Sequence, residues 1–149
     1  MSRIEVATVI EATPDEVWSC VEDLSSHVEW MDDAHAITFV GDQRAGVGTE
    51  MLVDTRVGPL RLEDRMEVTE WEPGRAMGVR HVGLVTGSGR FTLAPVPGGG
   101  TEFTWAEDLR FPWWMGGPLG GVVGSRVLEL VWRRNLRSLK KLVERPDGG

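Results

Sequence analysis

The sequence has a single cysteine, no tyrosine and no long apolar run. Because Cys20 has no partner for an intrachain disulfide, a reducing compartment is the default expectation. No apolar stretch reaches the roughly 20 residues that a membrane-spanning helix needs, and the N-terminal residues lack the apolar run of a signal peptide. We therefore expect a cytoplasmic protein without stable membrane insertion.

Positive charge is also scarce: 16 Lys and Arg stand against 23 Asp and Glu, which gives a net charge of −7. Since nucleic-acid binding depends on cations that neutralise phosphates, no nucleic-acid partner is expected. Zinc-ligand spacings, a phosphate-binding loop and a dinucleotide-binding glycine motif are missing, so we expect no cofactor. His27, His35 and Asp32 form no recognisable ligand set, and no metal is expected either.

The first part of the chain predicts a strand followed by two short helices. Residues 4–11 alternate between apolar and polar positions, which is typical of a strand with one buried face. Residues 13–16 then supply a capping hydroxyl, a proline and two acids, the signals of a helix start. Cys20 lies on the apolar face of this helix and is interpreted as a core side chain rather than a nucleophile. Ser25 and Ser26 are candidate caps of a second short helix that runs to Trp30.

Glycine-punctuated alternation predicts six further strands, and a helical period then runs to about Glu144. The strands are expected at residues 36–40, 49–57, 60–71, 75–82, 89–94 and 101–111. Most links between them are too short for parallel connections, so neighbouring strands are antiparallel. We predict one α+β domain over residues 1–149, with a seven-stranded antiparallel sheet curved around a long C-terminal helix.

The apolar stripe of the long helix changes in size along its length. Gly121, Gly124 and Ser125 make the stripe small at the beginning, whereas Leu128 and Trp132 make it bulky further on. Two interpretations are open: the small end leaves a cavity beneath the sheet, or it lets the helix and sheet backbones approach closely.

Several short segments resemble those of one known superfamily. They lie at residues 10–18 (I-E-A-T-P-D-E-V-W), 46–49, 71–75, 99–105 and 117–120. In order and spacing, over about residues 3–144, they resemble the START-like superfamily of the birch-pollen allergen. Within it, the chain is similar to the bacterial polyketide cyclase/dehydrase and lipid-transport (SRPBCC) group. The resemblance implies a helix-grip fold and a deep cavity for a lipid, an isoprenoid or a polyketide-like compound, without implying a reaction.

Three titratable residues are expected on otherwise apolar strand faces. Alternation places Asp64 beside Met66, His81 beside Val79, and Glu107 beside Trp105. Burial raises the pKa of a carboxyl group toward the range of a general acid or base. Asp64, His81 and Glu107 are therefore candidate catalytic residues of a cofactor-independent cyclase or dehydratase. The alternatives are pairing of a carboxylate with an arginine such as Arg126, or a bulge that turns it outward.

Large apolar side chains on the same faces are candidate ligand contacts, and the expected partner is a small hydrophobic molecule. The candidates are Trp30, Met51, Val53, Met66, Met77, Val79, Phe91, Trp105, Trp113, Trp114, Leu119 and Val123. Trp113 and Trp114 have three open interpretations: a flap over the cavity, a surface for a partner or membrane, or simple packing. A ligand-sensing or co-chaperone-like role is a further alternative, and the protein is expected to be a monomer or homodimer.

Overall fold

The computed structural model describes residues 2–111 and 117–145, with the side chains of all of these except residues 2 and 117–123. Strand β1 (Ser2–Ile10) is followed by helix α1 (Pro14–Val21) and a 3₁₀ helix (Leu24–Glu29). The remaining elements are β2 (Ala34–Val40), β3 (Glu50–Val57), β4 (Leu60–Glu72), β5 (Ala76–Val82), β6 (Thr86–Pro95), β7 (Thr101–Arg110) and helix α2 (Gly117–Val143).

The strands form one antiparallel sheet in the order β1-β7-β6-β5-β4-β3-β2. Strands β2 to β7 therefore pair with their neighbours in sequence, whereas β1 pairs with β7 in a register that sets Ser2 opposite Leu109. Seven antiparallel strands, two short helices after the first strand and a long C-terminal helix confirm the predicted fold class.

The start of α1 follows the prediction, whereas the start of the 3₁₀ helix does not. Thr13 caps α1: its hydroxyl oxygen accepts the Glu16 backbone N–H at 3.2 Å, and the Thr13 N–H donates to the Glu16 carboxylate at 3.3 Å. The cap of the 3₁₀ helix is Asp23, whose carboxylate accepts the Ser25 backbone N–H at 3.2 Å. The prediction of a serine cap was wrong because this acceptor lies two residues earlier.

Strand β6 begins three residues before the predicted Gly89, because Gly87 is part of the strand rather than of a turn. Its φ is +128°, and a side chain there would place Cβ 1.9 Å from the carbonyl oxygen of Asp108 on β7. Only glycine fits at this point of the β6–β7 pairing. The other strand boundaries lie within two residues of the predicted ones.

The C-terminal half of α2 is fixed to β1 and fills the core. Leu136 and Leu139 are buried beneath the sheet with Ile4 and Val6 of β1. At the end of the helix, the ammonium group of Lys140 donates to the carbonyl oxygen of Val9 at 2.8 Å. In the part of the chain that the structure describes, no helix has the length and apolar character needed to cross a membrane.

Candidate functional site

A cavity of about 450 Å³ lies between the inner face of the sheet and α2. Most of its lining is apolar, and its volume falls in the range of about 300–1,000 Å³ that small-molecule sites occupy. The large apolar side chains that line it from the strands are Ile37, Met51, Val53, Val57, Leu60, Leu62, Met66, Met77, Val79, Phe91, Trp105 and Leu109, and Val85 lines it from the connection between β5 and β6. Helix α2 contributes Gly124, Val127, Leu128 and Trp132.

Gly124 keeps part of this space open. A Cβ atom added to it would meet no heavy atom within 4 Å. Of the two interpretations of the small stripe on α2, the open one therefore applies at Gly124, because a close helix–sheet approach would place atoms there. Further along the helix the side chains fill the space beneath it: Leu128 is half-buried, and Trp132, Asn135 and Leu136 are buried.

Asp64, His81 and Glu107 meet on the inner face of the sheet, where all three line the cavity and each is 6–8% exposed. The register pairs His81 with Met66, so Asp64 is its diagonal neighbour on β4. The Nδ1 of His81 lies 2.9 Å from an Asp64 carboxylate oxygen, and its Nε2 is hydrogen-bonded to Glu107. The partner of both carboxylates is thus a histidine rather than Arg126, which is exposed.

Glu107 reaches His81 by crossing a strand. It lies on β7 and His81 on β5, with β6 between them. The residue of β6 opposite Glu107 is Gly89, and a Cβ atom there would lie 2.6 Å from Glu107 Cγ. Because glycine has no side chain, the carboxylate arm passes over β6 to the histidine.

The two carboxylates determine the protonation of His81. Burial by itself lowers the pKa of this imidazole, but the hydrogen bonds and charges of Asp64 and Glu107 outweigh burial and raise it to about 10. His81 is therefore an imidazolium at neutral pH, held between two acids. No backbone irregularity turns Asp64 outward, since the irregularity in β4 lies between Val68 and Glu70.

Another buried carboxylate, that of Asp33, is linked to Glu107 through two stacked indoles. The Nε1–H of Trp105 donates to Glu107 at 2.7 Å, and the ring of Trp105 stacks on Trp132 with centroids 4.4 Å apart. Trp132 in turn donates its Nε1–H to Asp33 at 3.1 Å. Asn135 of α2 donates to the other oxygen of Asp33 at 2.8 Å. Asp33 thus fixes the segment before β2 to the long helix at the edge of the cavity.

Many cavity-lining residues were not predicted as such from the sequence, and His27, Asp33 and Trp132 are the ones that carry the polar contacts described above. His27 was considered only as a metal ligand, and Trp132 only as a bulky residue of the helix stripe. Trp132 is buried and also lines the cavity. Asn135 carries the signal that could have found Asp33, because an amide within an apolar helical stripe needs a polar partner opposite it.

The predicted ligand contacts divide into three groups. Those that line the cavity are Met51, Val53, Met66, Met77, Val79, Phe91 and Trp105. Trp30 is not among the described lining residues: it is 1% exposed and packs behind the cavity wall, against Phe91 and Phe103. Trp113 and Trp114 lie outside the described residues, as do the side chains of Leu119 and Val123. Within the described ranges, no group of three or more His, Cys, Asp or Glu side chains could hold a metal ion.

The sequence places this fold in a known family. The family model for polyketide cyclase/dehydrase and lipid transport matches residues 1–144. The protein belongs to this family. The resemblance expected from the short sequence segments is thereby confirmed. Membership of the polyketide cyclase/dehydrase family supports a ligand-binding domain in general.

Several solved structures share the fold of this member of the polyketide cyclase/dehydrase family. A protein of Thermus thermophilus matches with a TM-score of 0.83 and 16% identity, over 95% of this chain and 97% of that one. The Zhui aromatase/cyclase of a Streptomyces species matches at 0.80 and 16%, over 99% and 98% of the chains. A START superfamily protein of Mycobacterium smegmatis matches at 0.77 and 12%, over 95% and 97%. These TM-scores show a common helix-grip fold. No curated protein sequence matches the chain.

Proposed function

We propose that the protein binds an apolar or amphipathic small molecule, such as a lipid, an isoprenoid or a polyketide-like compound, in the cavity between the sheet and α2. The observation that carries the proposal is an apolar cavity of about 450 Å³ with buried polar groups at defined points. Protein interiors leave few voids larger than a water molecule, so a space of this size is a feature of the fold with a use.

The driving force is burial of the ligand's apolar surface, worth about 25 cal/mol for each Å² removed from water. The polar groups fix the orientation of the ligand, because Asp64 and Glu107 contact the cavity from one wall, the inner face of the sheet. The binding unit comprises the whole domain of residues 1–149, since sheet and helix both supply walls. A cytoplasmic location and a monomeric or homodimeric state belong to the same proposal.

Native mass spectrometry of the protein purified from its own host tests for a bound ligand. Comparison of the intact and denatured masses should reveal a discrete apolar adduct that is lost on denaturation. A clean unliganded mass at modest collision energy would contradict a tightly held ligand and favour a transiently bound one.

A matched pair of variants tests whether the cavity is the binding site. Gly124→Leu extends a side chain into open space, whereas Gly124→Ala adds only one methyl group. Leucine should weaken the binding of the fluorescent probe N-phenyl-1-naphthylamine by about tenfold or more, and alanine should change it little. Unchanged binding by the leucine variant would exclude this cavity as the site.

A second candidate function is acid–base catalysis, favoured by the meeting of Asp64, His81 and Glu107 in the cavity. In a cyclase, a carboxylate oxygen takes a proton from the carbon beside a ketone, and the electron pair of the broken C–H bond forms an enolate. The enolate attacks a second carbonyl group and forms a ring C–C bond. The resulting alkoxide regains a proton, and loss of a second C–H proton and the hydroxyl group releases water.

Binding ranks above catalysis because an enolate oxygen needs hydrogen-bond donors. The N–H groups of His81, Trp105 and Trp132 are already engaged by carboxylates.

The catalytic candidate is tested by NMR, as deuterium exchange at the carbon beside the ketone of α-tetralone. Exchange above the buffer rate that falls in Glu107→Gln and Asp64→Asn would support catalysis, and exchange at the buffer rate would exclude proton abstraction from this ketone. The sensing or co-chaperone-like alternative depends on a surface around Trp113 and Trp114, outside the described residues.

A further inference from the structure

The polar side chains that line the cavity have their N–H donors in use. Both ring nitrogens of His81 are bonded to carboxylates, and this holds wherever the shared protons lie. Trp105 donates to Glu107 and Trp132 to Asp33. Arg90 is exposed and points its guanidinium group at Glu70. Apart from Arg90, whose guanidinium group is directed to Glu70, no described side chain that lines the cavity therefore offers a ligand a free N–H group.

The acceptors, in contrast, retain free capacity. A carboxylate can accept about four hydrogen bonds through its two oxygens. Among the described residues, Asp64 contacts one nitrogen of His81, while Glu107 and Asp33 each accept two bonds. These three carboxylates line the cavity, and the described side chains leave some of their lone pairs unused.

His27 adds a neutral acceptor on the wall formed by the 3₁₀ helix. Its Nε2 lies 2.8 Å from the carbonyl oxygen of Val21, so Nε2 carries the proton and donates it. Burial lowers the pKa of His27, which keeps the ring neutral and leaves Nδ1 as a lone-pair acceptor. His27 lines the same cavity.

The charges of the lining side chains also favour a ligand that donates hydrogen bonds over one that carries negative charge. Three carboxylates, of Asp33, Asp64 and Glu107, face one imidazolium, that of His81. A ligand carboxylate or phosphate would meet like charge in a site that shields it from water, and the described indole and imidazole N–H groups of the lining are already bonded to protein acceptors.

We propose that the ligand of this cavity presents hydrogen-bond donors, as a phenol, an alcohol or an amine, to Asp64 and Glu107, and that molecules ending in a carboxylate or phosphate are excluded. This inference rests on the proposed binding function and narrows its ligand class. Hydroxylated aromatic or isoprenoid compounds meet this requirement for hydrogen-bond donors, whereas fatty acids and phospholipids carry the excluded negative charge.

Three probes with one ring skeleton test the inference: 9-phenanthrol, 9-methoxyphenanthrene and phenanthrene-9-carboxylate. They share an apolar body and differ in whether they present a donor, an ether or an anion. By isothermal titration calorimetry at pH 7, 9-phenanthrol should bind about tenfold or more tightly than the methoxy compound, because it donates to a buried carboxylate. The carboxylate should bind most weakly.

The Asp64→Asn variant identifies the group that gives this preference. An amide removes the negative charge and supplies N–H donors, so the preference for 9-phenanthrol should shrink and the binding of phenanthrene-9-carboxylate should increase. Glu63→Gln is the matched control, because Glu63 is the exposed neighbour on the opposite face of β4. Thermal melts establish that both variants are folded, and the order of affinities on the wild-type protein tests the inference independently of them.

The outcomes separate this inference from the proposed function. If the methoxy or carboxylate probe binds as tightly as 9-phenanthrol, the donor requirement is overturned while the binding function stands. If none of the three apolar probes binds, the proposed function fails and the inference fails with it.

Discussion

Glu107 extends its side chain across Gly89, its partner in the β6–β7 register, to reach a histidine one strand further on. The space for this crossing exists only because Gly89 lacks a Cβ atom, which would lie 2.6 Å from Glu107 Cγ. A single glycine thus joins a carboxylate of β7 to an imidazolium of β5. The arrangement of the polar cluster depends on this backbone position as much as on the charged residues themselves.

Replacing Gly89 with alanine should destabilise the fold by about 1–3 kcal/mol, because the added methyl group displaces the Glu107 side chain. Urea denaturation measures the loss. In a Glu107→Ala background the displaced side chain is absent, so the same glycine substitution should cost less. An equal cost in both backgrounds would show that the glycine serves the strand itself rather than the carboxylate.

The stability of the protein should decline in alkaline solution. The pKa of His81 is about 10 in the folded protein, against an ordinary value of 6.5. The imidazolium therefore stabilises the fold fully below pH 6.5, and this contribution is lost as the pH rises from 6.5 through 10. The free energy of unfolding, measured in urea at intervals from pH 6 to 10.5, should fall across this window.

The composition makes this alkaline profile simple to interpret. The sequence has no tyrosine, and its two lysines are Lys140 and Lys141. Burial also raises the pKa of Cys20, so the profile is measured in a Cys20→Ala background to remove the thiol. His81→Gln in that background should flatten the decline, and a decline of full size in this variant would assign the effect to another group.

Trp132→Phe should cost about 1–3 kcal/mol, since it keeps an aromatic ring but leaves one oxygen of the buried Asp33 without its indole donor. Trp18→Phe is the control for lost volume, because Trp18 is another buried indole and packs edge-on against Trp71. The circular dichroism signal of stacked indoles should disappear in Trp132→Phe and persist in Trp18→Phe. Loss of the signal in the control alone would place the coupled pair elsewhere.

Gly124→Ala should stabilise the protein by about 0.5–1 kcal/mol, because alanine is the better helix former and its methyl group meets no atom within 4 Å. The melting temperature of the ligand-free protein measures the gain. A lower melting temperature would mean that α2 and the sheet approach each other more closely at this point than the cavity implies.

The strands and the residues on their inner faces can be predicted from the sequence, because alternation of apolar and polar residues is a local property. It places Asp64, His81 and Glu107 on apolar faces correctly, because each shares its face with the residues two positions away. Their mutual contact follows from the registers of four strands and from the gap at Gly89, which no local pattern encodes. Gly89 by itself is indistinguishable from an ordinary strand-start glycine.

Trp30, a candidate ligand contact, illustrates a position that local pattern does not determine. It follows a short helix of mostly polar residues, and this sequence does not reveal which way the indole is directed. In the structure Trp30 ends the 3₁₀ helix, and its indole is directed inward, where it packs on Phe91 and Phe103. Tertiary packing rather than sequence spacing decides such a position.

The pairing of β1 with β7 also affects biosynthesis. Strands β2 to β7 can pair one after another as they leave the ribosome, but β1 waits for a partner about a hundred residues downstream. Helix α2, which packs on β1, is synthesised later still. The space for a ligand is therefore enclosed only after nearly the whole chain has been made, when the first strand joins the last.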